Sequence, residues 1–210
     1  MDSVVGIDLS GLSGSTKGRT VAAQIALEER PCVLDIVTIQ RGIRGDRNLV
    51  DWIDERRPRV IAIDAPLTLP HSIFCEIPGC SRCLPGAASY LRRDVDRLAS
   101  GMPTAMLAAI AFRGIYLART LRDRAYEVIE TYPAAAYRAM GAAGKTYDER
   151  AALLTGRVGA FQWTIADEID AVCSALVAAD FAAENHAGVI KGGDGEIWLA
   201  RAAAHTPGTA

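Results

Sequence analysis

The chain has 210 residues, of which 50% are hydrophobic and 23% are charged. This composition supports one well-packed domain, and the length is too short for two full ones. The formal net charge of -2 provides no strong field that would attract nucleic acid or a membrane surface. The first residues lack the features of a signal peptide, and the longest apolar stretch, residues 105–112, is too short to cross a bilayer. We therefore expect a cytoplasmic protein with no membrane partner.

The chain begins with three segments that have the composition of β-strands, residues 4–9, 19–27 and 32–40. The connections between them are too short for the crossover that parallel neighbours need, so an antiparallel meander is predicted. A helical pattern over residues 46–56 then leads to a fourth strand over residues 59–63. This intervening helix allows the fourth strand to lie parallel to the first.

The rest of the chain alternates helical and extended patterns after a loop-rich segment at about residues 65–101. The predicted elements are a helix over 104–124, a fifth strand over 126–130, a short helix from Pro133, helices over 146–154 and 165–185, and a hairpin over 188–199. This order predicts an α/β domain in which helices flank a mixed sheet.

Acidic residues stand at the ends of three predicted strands. Side-chain alternation places Asp8 on the same side of the first strand as Val4 and Gly6, and Asp64 ends the fourth strand in the same manner. Glu130 ends the fifth strand. Because ligand sites in open α/β sheets lie at the carboxyl ends of strands, these three acids are expected to converge at one edge.

The predicted helix over residues 165–185 adds two more acids, Asp167 and Asp170. They are three residues apart, which separates them by about 60° around the helix axis. Asp170 borders an apolar stripe, so this amphipathic helix can pack on the sheet and still direct carboxylates to the edge. The stripe consists of Ile169, Val172, Cys173 and Leu176.

Each acid also has a purely structural explanation, such as a loop cap for Asp8, an Asx-turn for Asp64 or a helix-dipole role for Asp167. Together, however, clustered carboxylates repel one another and shift one another's pKa values. A divalent cation removes that penalty, and oxygen-only ligands suit Mg²⁺ or Mn²⁺. Two such ions can hold the attacking and leaving oxygens of a phosphoryl displacement.

Basic residues in two loop segments are candidate substrate contacts. Lys17 lies in the Gly/Ser-rich loop after the first strand, which lacks the full spacing of a P-loop. Arg92 and Arg93 lie in a charged stretch with two open explanations. The stretch is either a solvated helix face with local ion pairs, or it sends a guanidinium to the carboxylate cluster or a substrate phosphate.

The cysteines of the loop-rich segment leave two explanations open, a structural zinc site or free, redox-sensitive thiols. The zinc site would use a Cys₃His ligand set, His71, Cys75, Cys80 and Cys83. The remaining cysteines, Cys32 and Cys173, are predicted to be core residues. An odd total of five cysteines argues against a disulfide framework.

Several segments resemble the predicted-nuclease family known as domain of unknown function 429, which has the ribonuclease H-like fold and is similar to the Holliday-junction resolvases. In chain order these segments are GID, IDAPL, RRDVDRL, VIETYP, DEIDAVCSALVAA and GEIWL. The resemblance covers most of the chain. It implies a single ribonuclease H-like domain over residues 1–210 with a Cys-containing insertion at about 65–101. It also implies a five-stranded sheet of order 3-2-1-4-5, flanked by helices and followed by a C-terminal hairpin.

The resemblance further implies a metal-dependent nuclease that hydrolyses phosphodiester bonds of DNA or RNA. The expected Mg²⁺ or Mn²⁺ ligands are Asp8, Asp64 and Asp170. Asp167 and Glu130 would complete the shell or position water. One departure is that the resolvase pattern has Glu at the end of strand four, where this chain has Asp64.

Two other functions stay open at this point. GIDLSG resembles the phosphate loop of the sugar-kinase and actin folds, which implies an ATP-Mg-binding relative. A catalytically inactive binding module is the other alternative. Apolar positions on the helix over 104–124 are also expected to be exposed and to allow a homodimer.

Overall fold

A computed structural model of the chain describes residues 1–10, 19–39, 43–70, 92–99, 107–142, 146–184 and 188–201. The strands are β1 (Ser3–Asp8), β2 (Thr20–Ala26), β3 (Val33–Ile39), β4 (Val60–Asp64), β5 (Glu127–Thr131), β6 (Gly188–Gly192) and β7 (Gly195–Leu199). The helices are α1 (Ile43–Arg56), α2 (Asp94–Leu98), α3 (Ala108–Arg122), α4 (Pro133–Ala139), α5 (Tyr147–Val158) and α6 (Ala166–Ala182).

All of these strands belong to one sheet of order β3-β2-β1-β4-β5-β7-β6. Strands β1, β2 and β3 form the predicted antiparallel meander, and β4 and β5 lie parallel to β1. The predicted order 3-2-1-4-5 is therefore confirmed. The C-terminal hairpin extends the same sheet, because β7 pairs in parallel with β5 at Thr131 and Trp198.

Helices cover both faces of the sheet because the buried strands are apolar on both sides. On one face, Val4 and Ala62 pack in a core cluster with α4, α5 and α6. On the other face, Val5 and Ile61 pack in a second cluster with α1 and α3. The side chain of every second residue in β1 and β4 therefore lies on the face of the sheet that α6 covers.

Helix α6 lies closest to the sheet at Gly6. A Cβ atom at this position would stand 2.0 Å from the backbone nitrogen of Ala175 and 2.2 Å from the carbonyl oxygen of Ala171. The helix also contacts α4 and α5 on its outer side. The expectation of a strongly amphipathic helix is therefore wrong: α6 is buried almost all round from Ile169 to Ala182, as a helix in the middle of a packed domain is.

The two cysteines within the described residues differ in their surroundings. Cys173 is fully buried on α6, as predicted, but Cys32 is exposed. The prediction for Cys32 is wrong because it precedes β3, the outer strand of the meander, whose side chains are only partly covered. In the part of the chain that the structure describes, no helix has the length and apolar character needed to cross a membrane.

We expect Gly6→Ala to destabilise the protein by about 1–3 kcal/mol or more, because the added methyl group overlaps backbone rather than a movable side chain. Urea unfolding measures this change. Gly156→Ala is the matched control, since nothing lies within 4 Å of its added Cβ and alanine is the better helix former by roughly 0.8–1 kcal/mol. Equal midpoints for the two variants would contradict the close approach of α6 to β1.

Candidate active site

Asp8 and Asp64 form a pair at the carboxyl ends of two adjacent parallel strands. They are register partners in the β1–β4 ladder, and neighbouring strands lie about 4.8 Å apart. Both side chains share the α6 face of the sheet, Asp8 with Gly6 and Asp64 with Ala62. Both are partly buried. The structure therefore brings two of the predicted site acids side by side.

Helix α6 brings further acidic groups toward this pair. Asp170 immediately precedes Ala171, whose carbonyl lies against Gly6. The Asp170 Oδ1 atom accepts a hydrogen bond of 3.0 Å from the hydroxyl of Tyr137, a fully buried side chain of α4. This bond orients the Asp170 carboxylate. Asp167 lies one turn earlier on the same helix and is partly buried.

The pKa values show that these acids share one weakly solvated region. Burial raises the pKa of Asp8 to about 8, and the charges of Asp170 and Asp167 add to the effect. The pKa of Asp64 is raised well above its ordinary value by burial first, then by the charges of Asp8, Asp170 and Glu130. Burial also raises the pKa of Asp170, although the hydrogen bond from Tyr137 and the charge of Arg150 oppose it. Negative charge at this edge is thus only partly compensated.

Glu130 takes a different position from the one expected. Strand β5 ends at Thr131, which is the register partner of Asp64, whereas Glu130 pairs with Ile63. Because side chains alternate along a strand, Glu130 shares its face with Val128, on the α3 side of the sheet. It reaches the same edge from the opposite face, and its role in binding metal or positioning water stays a prediction.

The Glu130 carboxylate is held by a buried arginine, Arg93, which is 1% exposed. The Arg93 Nη2 atom lies 2.5 Å from Glu130 Oε1, and Nη1 lies 2.8 Å from Oε2. Nη2 also donates to Asp96 Oδ1 at 2.5 Å, and Nε donates to the same oxygen at 3.0 Å. Nη1 also donates to Thr68 Oγ1 at 2.9 Å. Arg93 therefore does not lie on a solvated helix face. It reaches the carboxylate cluster, while substrate binding by Arg92 and Arg93 stays a prediction.

The C-terminal hairpin packs directly on α2 beside this buried network. The Asp194 carboxylate accepts hydrogen bonds from the backbone N–H groups of Asp94, at 2.9 Å, and Val95, at 3.4 Å. Gly192 allows the close approach, because a Cβ atom there would lie 2.4 Å from the Val95 nitrogen. The segments RRDVD, VIET and GDGE therefore form one structural unit beside the acidic edge.

A cavity of about 200 Å³ opens at this edge of the sheet. Asp8 and Asp64 line it together with Arg93 and Glu130. Much of the remaining wall is apolar or aromatic, including Leu9, Ile110, Tyr132 and Ile197. Such a mixture of convergent polar groups and apolar wall is typical of a ligand-binding site.

Several predicted residues lie outside the described part of the chain. These are Lys17 and the zinc candidates His71, Cys75, Cys80 and Cys83. Their roles in substrate and zinc binding stay predictions. Within the described ranges, no three side chains of the His, Cys, Asp and Glu types are grouped so that they could hold a metal ion as they stand.

The donor chemistry nevertheless fits a hard divalent cation. The Asp8–Asp64 pair offers oxygen atoms only, and burial and neighbouring acids raise the pKa of both carboxyl groups. No cation within the described residues forms an ion pair with either one. Mg²⁺ is commonly bound through one or two carboxylates, with waters and substrate phosphate oxygens filling the other positions. The pair therefore fits such an ion without three protein ligands, and Asp170 stays a predicted third ligand.

Two residues near the acids were missed by the sequence analysis. Tyr137 holds Asp170, and it is the one aromatic side chain within the alanine-rich sequence of α4, a signal that could have marked it. Arg150 lies in α5 just after the capping box of Thr146 and Glu149. Nothing in the local sequence indicates that its guanidinium lies 5.0 Å from the centre of the Tyr137 ring.

Comparisons with known proteins agree with this architecture. The family model described as "Protein of unknown function (DUF429)" matches residues 6–192. The chain belongs to this family. A comparison with curated proteins finds no match.

Solved structures of RuvC from Thermus thermophilus are similar to this DUF429 protein in fold. One RuvC structure has a TM-score of 0.52 at 13% sequence identity, over 87% of this chain and 97% of RuvC. A second, RuvC in complex with a Holliday junction substrate, has a TM-score of 0.54 at the same identity and coverage. At this identity the likeness shows the fold, which is ribonuclease H-like as predicted.

The pKa of Asp8 predicts how the stability of the metal-free protein depends on pH. Its ordinary value is 3.8 and its folded value about 8, so between these pH values the folded state binds more protons than the unfolded state. Stability is therefore expected to fall as the pH rises from about 4 through 8. Melting temperatures in EDTA at pH 5, 7 and 9 measure this trend.

Asp8→Asn should flatten this pH dependence, because asparagine does not ionise. Asp123→Asn is the matched control, as Asp123 is exposed and lies before β5, at the opposite edge of the sheet. A slope that Asp8→Asn leaves unchanged would contradict the shifted pKa of Asp8.

Removing the buried guanidinium should be strongly destabilising. Arg93→Leu leaves Glu130 and Asp96 buried without their cation, which we expect to cost about 3–5 kcal/mol in urea unfolding. Arg97→Leu is the control, since the Arg97–Asp94 pair is exposed and 3.4 Å long and such pairs contribute up to about 1 kcal/mol. If Arg93→Leu lowered the free energy of unfolding by less than Arg97→Leu does, the buried network would contribute little to stability.

Proposed function

We propose that this protein is a metal-dependent nuclease that hydrolyses phosphodiester bonds of nucleic acid. The observation that carries the proposal is the register pairing of Asp8 with Asp64 at the ends of parallel strands, facing Asp170 on α6. The charge of Asp170 raises the pKa of both Asp8 and Asp64, which are weakly solvated, and this supports a site shared by the three acids. A divalent cation, Mg²⁺ or Mn²⁺, is the ligand that best compensates this charge.

The ribonuclease H-like fold supports nucleic acid as the substrate. One similar structure is RuvC in complex with a Holliday junction substrate, so a protein of this fold binds a branched DNA. The net charge of -2 means that the phosphate backbone is bound by local groups rather than by a general basic field. Whether the substrate is DNA or RNA is set by contacts beyond the acidic edge.

In the proposed mechanism, Asp8 and Asp64 hold the cation, and Asp170 is the third ligand or positions the attacking water. When bound, the cation lowers the pKa of water and stabilises the negative charge that develops on phosphate oxygens. The hydroxyl of Tyr137 orients Asp170, and a carboxylate held in this way would bind the cation or accept a proton from the attacking water. Asp167, on the same helix, is the candidate to complete this arrangement.

We expect Asp8→Asn and Asp64→Asn to reduce Mg²⁺- or Mn²⁺-dependent cleavage by at least about 100-fold, more than the 10–100-fold that outer-shell partners of metals typically contribute. The assay uses labelled single-stranded, duplex and four-way-junction DNA, and the matching RNA. Asp123→Asn, the exposed aspartate at the opposite edge, is the matched control and should cleave like the unmodified protein.

Other outcomes separate the alternatives. Cleavage that persists in both variants would overturn the proposed site. Stabilisation by ATP-Mg without any cleavage would favour the nucleotide-binding function. Binding of nucleic acid with no cleavage under any divalent ion, and with Mn²⁺ affinity unchanged in Asp8→Asn, would identify an inactive binding module.

A further inference from the structure

A protein cation beside the acidic edge would help to hold a phosphodiester, but several buried or partly buried arginines are engaged elsewhere. Arg93 bonds Asp96 and Glu130, and Arg113 bonds Asp46 and the backbone carbonyl of Ser10. Arg157 bonds Asp180 on α6. These guanidinium groups stabilise the fold through their carboxylate partners, so an arginine without such a partner is the better candidate for a further substrate contact.

Arg150 differs from these arginines. It is partly buried on α5, and its Nε atom is buried without a hydrogen-bond partner. It forms no ion pair with any carboxylate in the described ranges. Its charge is nevertheless close enough to the acidic edge to lower the pKa of Asp170.

The position of Arg150 is set from two sides. The capping box of Thr146 and Glu149 fixes the first turn of α5. The guanidinium carbon then lies 5.0 Å from the centre of the Tyr137 ring, and the hydroxyl of the same ring donates to Asp170. One aromatic side chain therefore holds a cation on its face and a site carboxylate at its tip.

We propose that Arg150 is a substrate-binding residue that contacts a phosphate group of the nucleic acid beside Asp170. A guanidinium stacked on an aromatic ring keeps its N–H edge free for the two oxygens of a phosphate, in a bidentate geometry. This inference rests on the proposed function, because it assigns a contact to the substrate of that same site. It adds a residue from α5 to a site otherwise built from β1, β4 and α6.

A structural role for Arg150 makes a different prediction. If the residue only rigidified Tyr137 through the cation–π contact, which contributes roughly 0.5–2 kcal/mol, its loss would lower the melting temperature and leave the salt dependence of binding unchanged. A phosphate contact instead appears in the salt dependence, because each neutralised phosphate releases condensed counterions. The slope of log K against log salt therefore distinguishes the two roles.

The test measures the affinity of labelled single-stranded and four-way-junction DNA by fluorescence anisotropy, in Ca²⁺, over a series of salt concentrations. Arg150→Gln should weaken binding about tenfold and lower the salt slope by roughly 0.7–0.9. Arg150→Lys should retain the slope, since it keeps the charge, and lose part of the affinity with the bidentate geometry. Arg59→Gln is the matched control, because Arg59 is exposed and precedes β4, at the opposite edge from Asp64.

Each outcome decides between the roles. Arg150→Met, which keeps the packing of the aliphatic stem on the ring, is a second charge-removing variant, and a reduced slope in either folded variant supports the proposal. A slope and affinity equal to those of the unmodified protein overturn the assignment of Arg150 alone, and so does failure of both variants to fold, which would show a structural role. If the unmodified protein binds no nucleic acid, the proposed function fails with it.

Discussion

The close approach of α6 to β1 is the constraint on which the rest of the site depends. Gly6 has no side chain, so the helix backbone at Ala171 and Ala175 lies directly on the central strand. Small residues on both elements make this contact possible, and they bring Asp170 near enough for its charge to raise the pKa of Asp8 and Asp64. A larger residue at position 6 would move the helix outward and separate the acids. The same contact therefore determines both the packing of the core and the geometry of the site.

The same packing determines the electrostatics of the site. A helix pressed against the sheet excludes water from the acids, and burial is the largest cause of the raised pKa values of Asp8, Asp64 and Asp170. The protein compensates the neighbouring carboxylates of Glu130 and Asp96 with Arg93, whereas no described cation is paired with Asp8 or Asp64. The carboxylate charges of the Arg93 network are thus compensated, whereas those of Asp8 and Asp64 are not. This difference supports the proposed divalent cation as the partner of the pair.

Sequence patterns predicted the parts of the site that depend on strand ends. Asp8 and Asp64 follow apolar runs in strands whose parallel order could be derived from the intervening helix. The face of Glu130 could not be derived, because β5 ends one residue later than expected and a shift of one residue moves a side chain to the opposite face. For Arg93 the sequence left two explanations open, because its contact with Glu130 joins segments that are distant in sequence. The contact of Arg150 with Tyr137 was missed, since a single sequence contains no local signal for it.

The shorter side chain of Asp64, where the resolvase pattern has Glu, is consistent with this geometry. Asp8 and Asp64 are register partners on adjacent strands, so two side chains of equal length place their carboxylates at the same level above the sheet. The next position in this row is Thr131 on β5, whose hydroxyl donates to the carbonyl of Trp198 in β7 and adds no carboxylate. Among the described residues, the further acids whose charges act on Asp8 lie on α6. The proposed site therefore depends on the position of that helix as well as on the length of the β4 side chain.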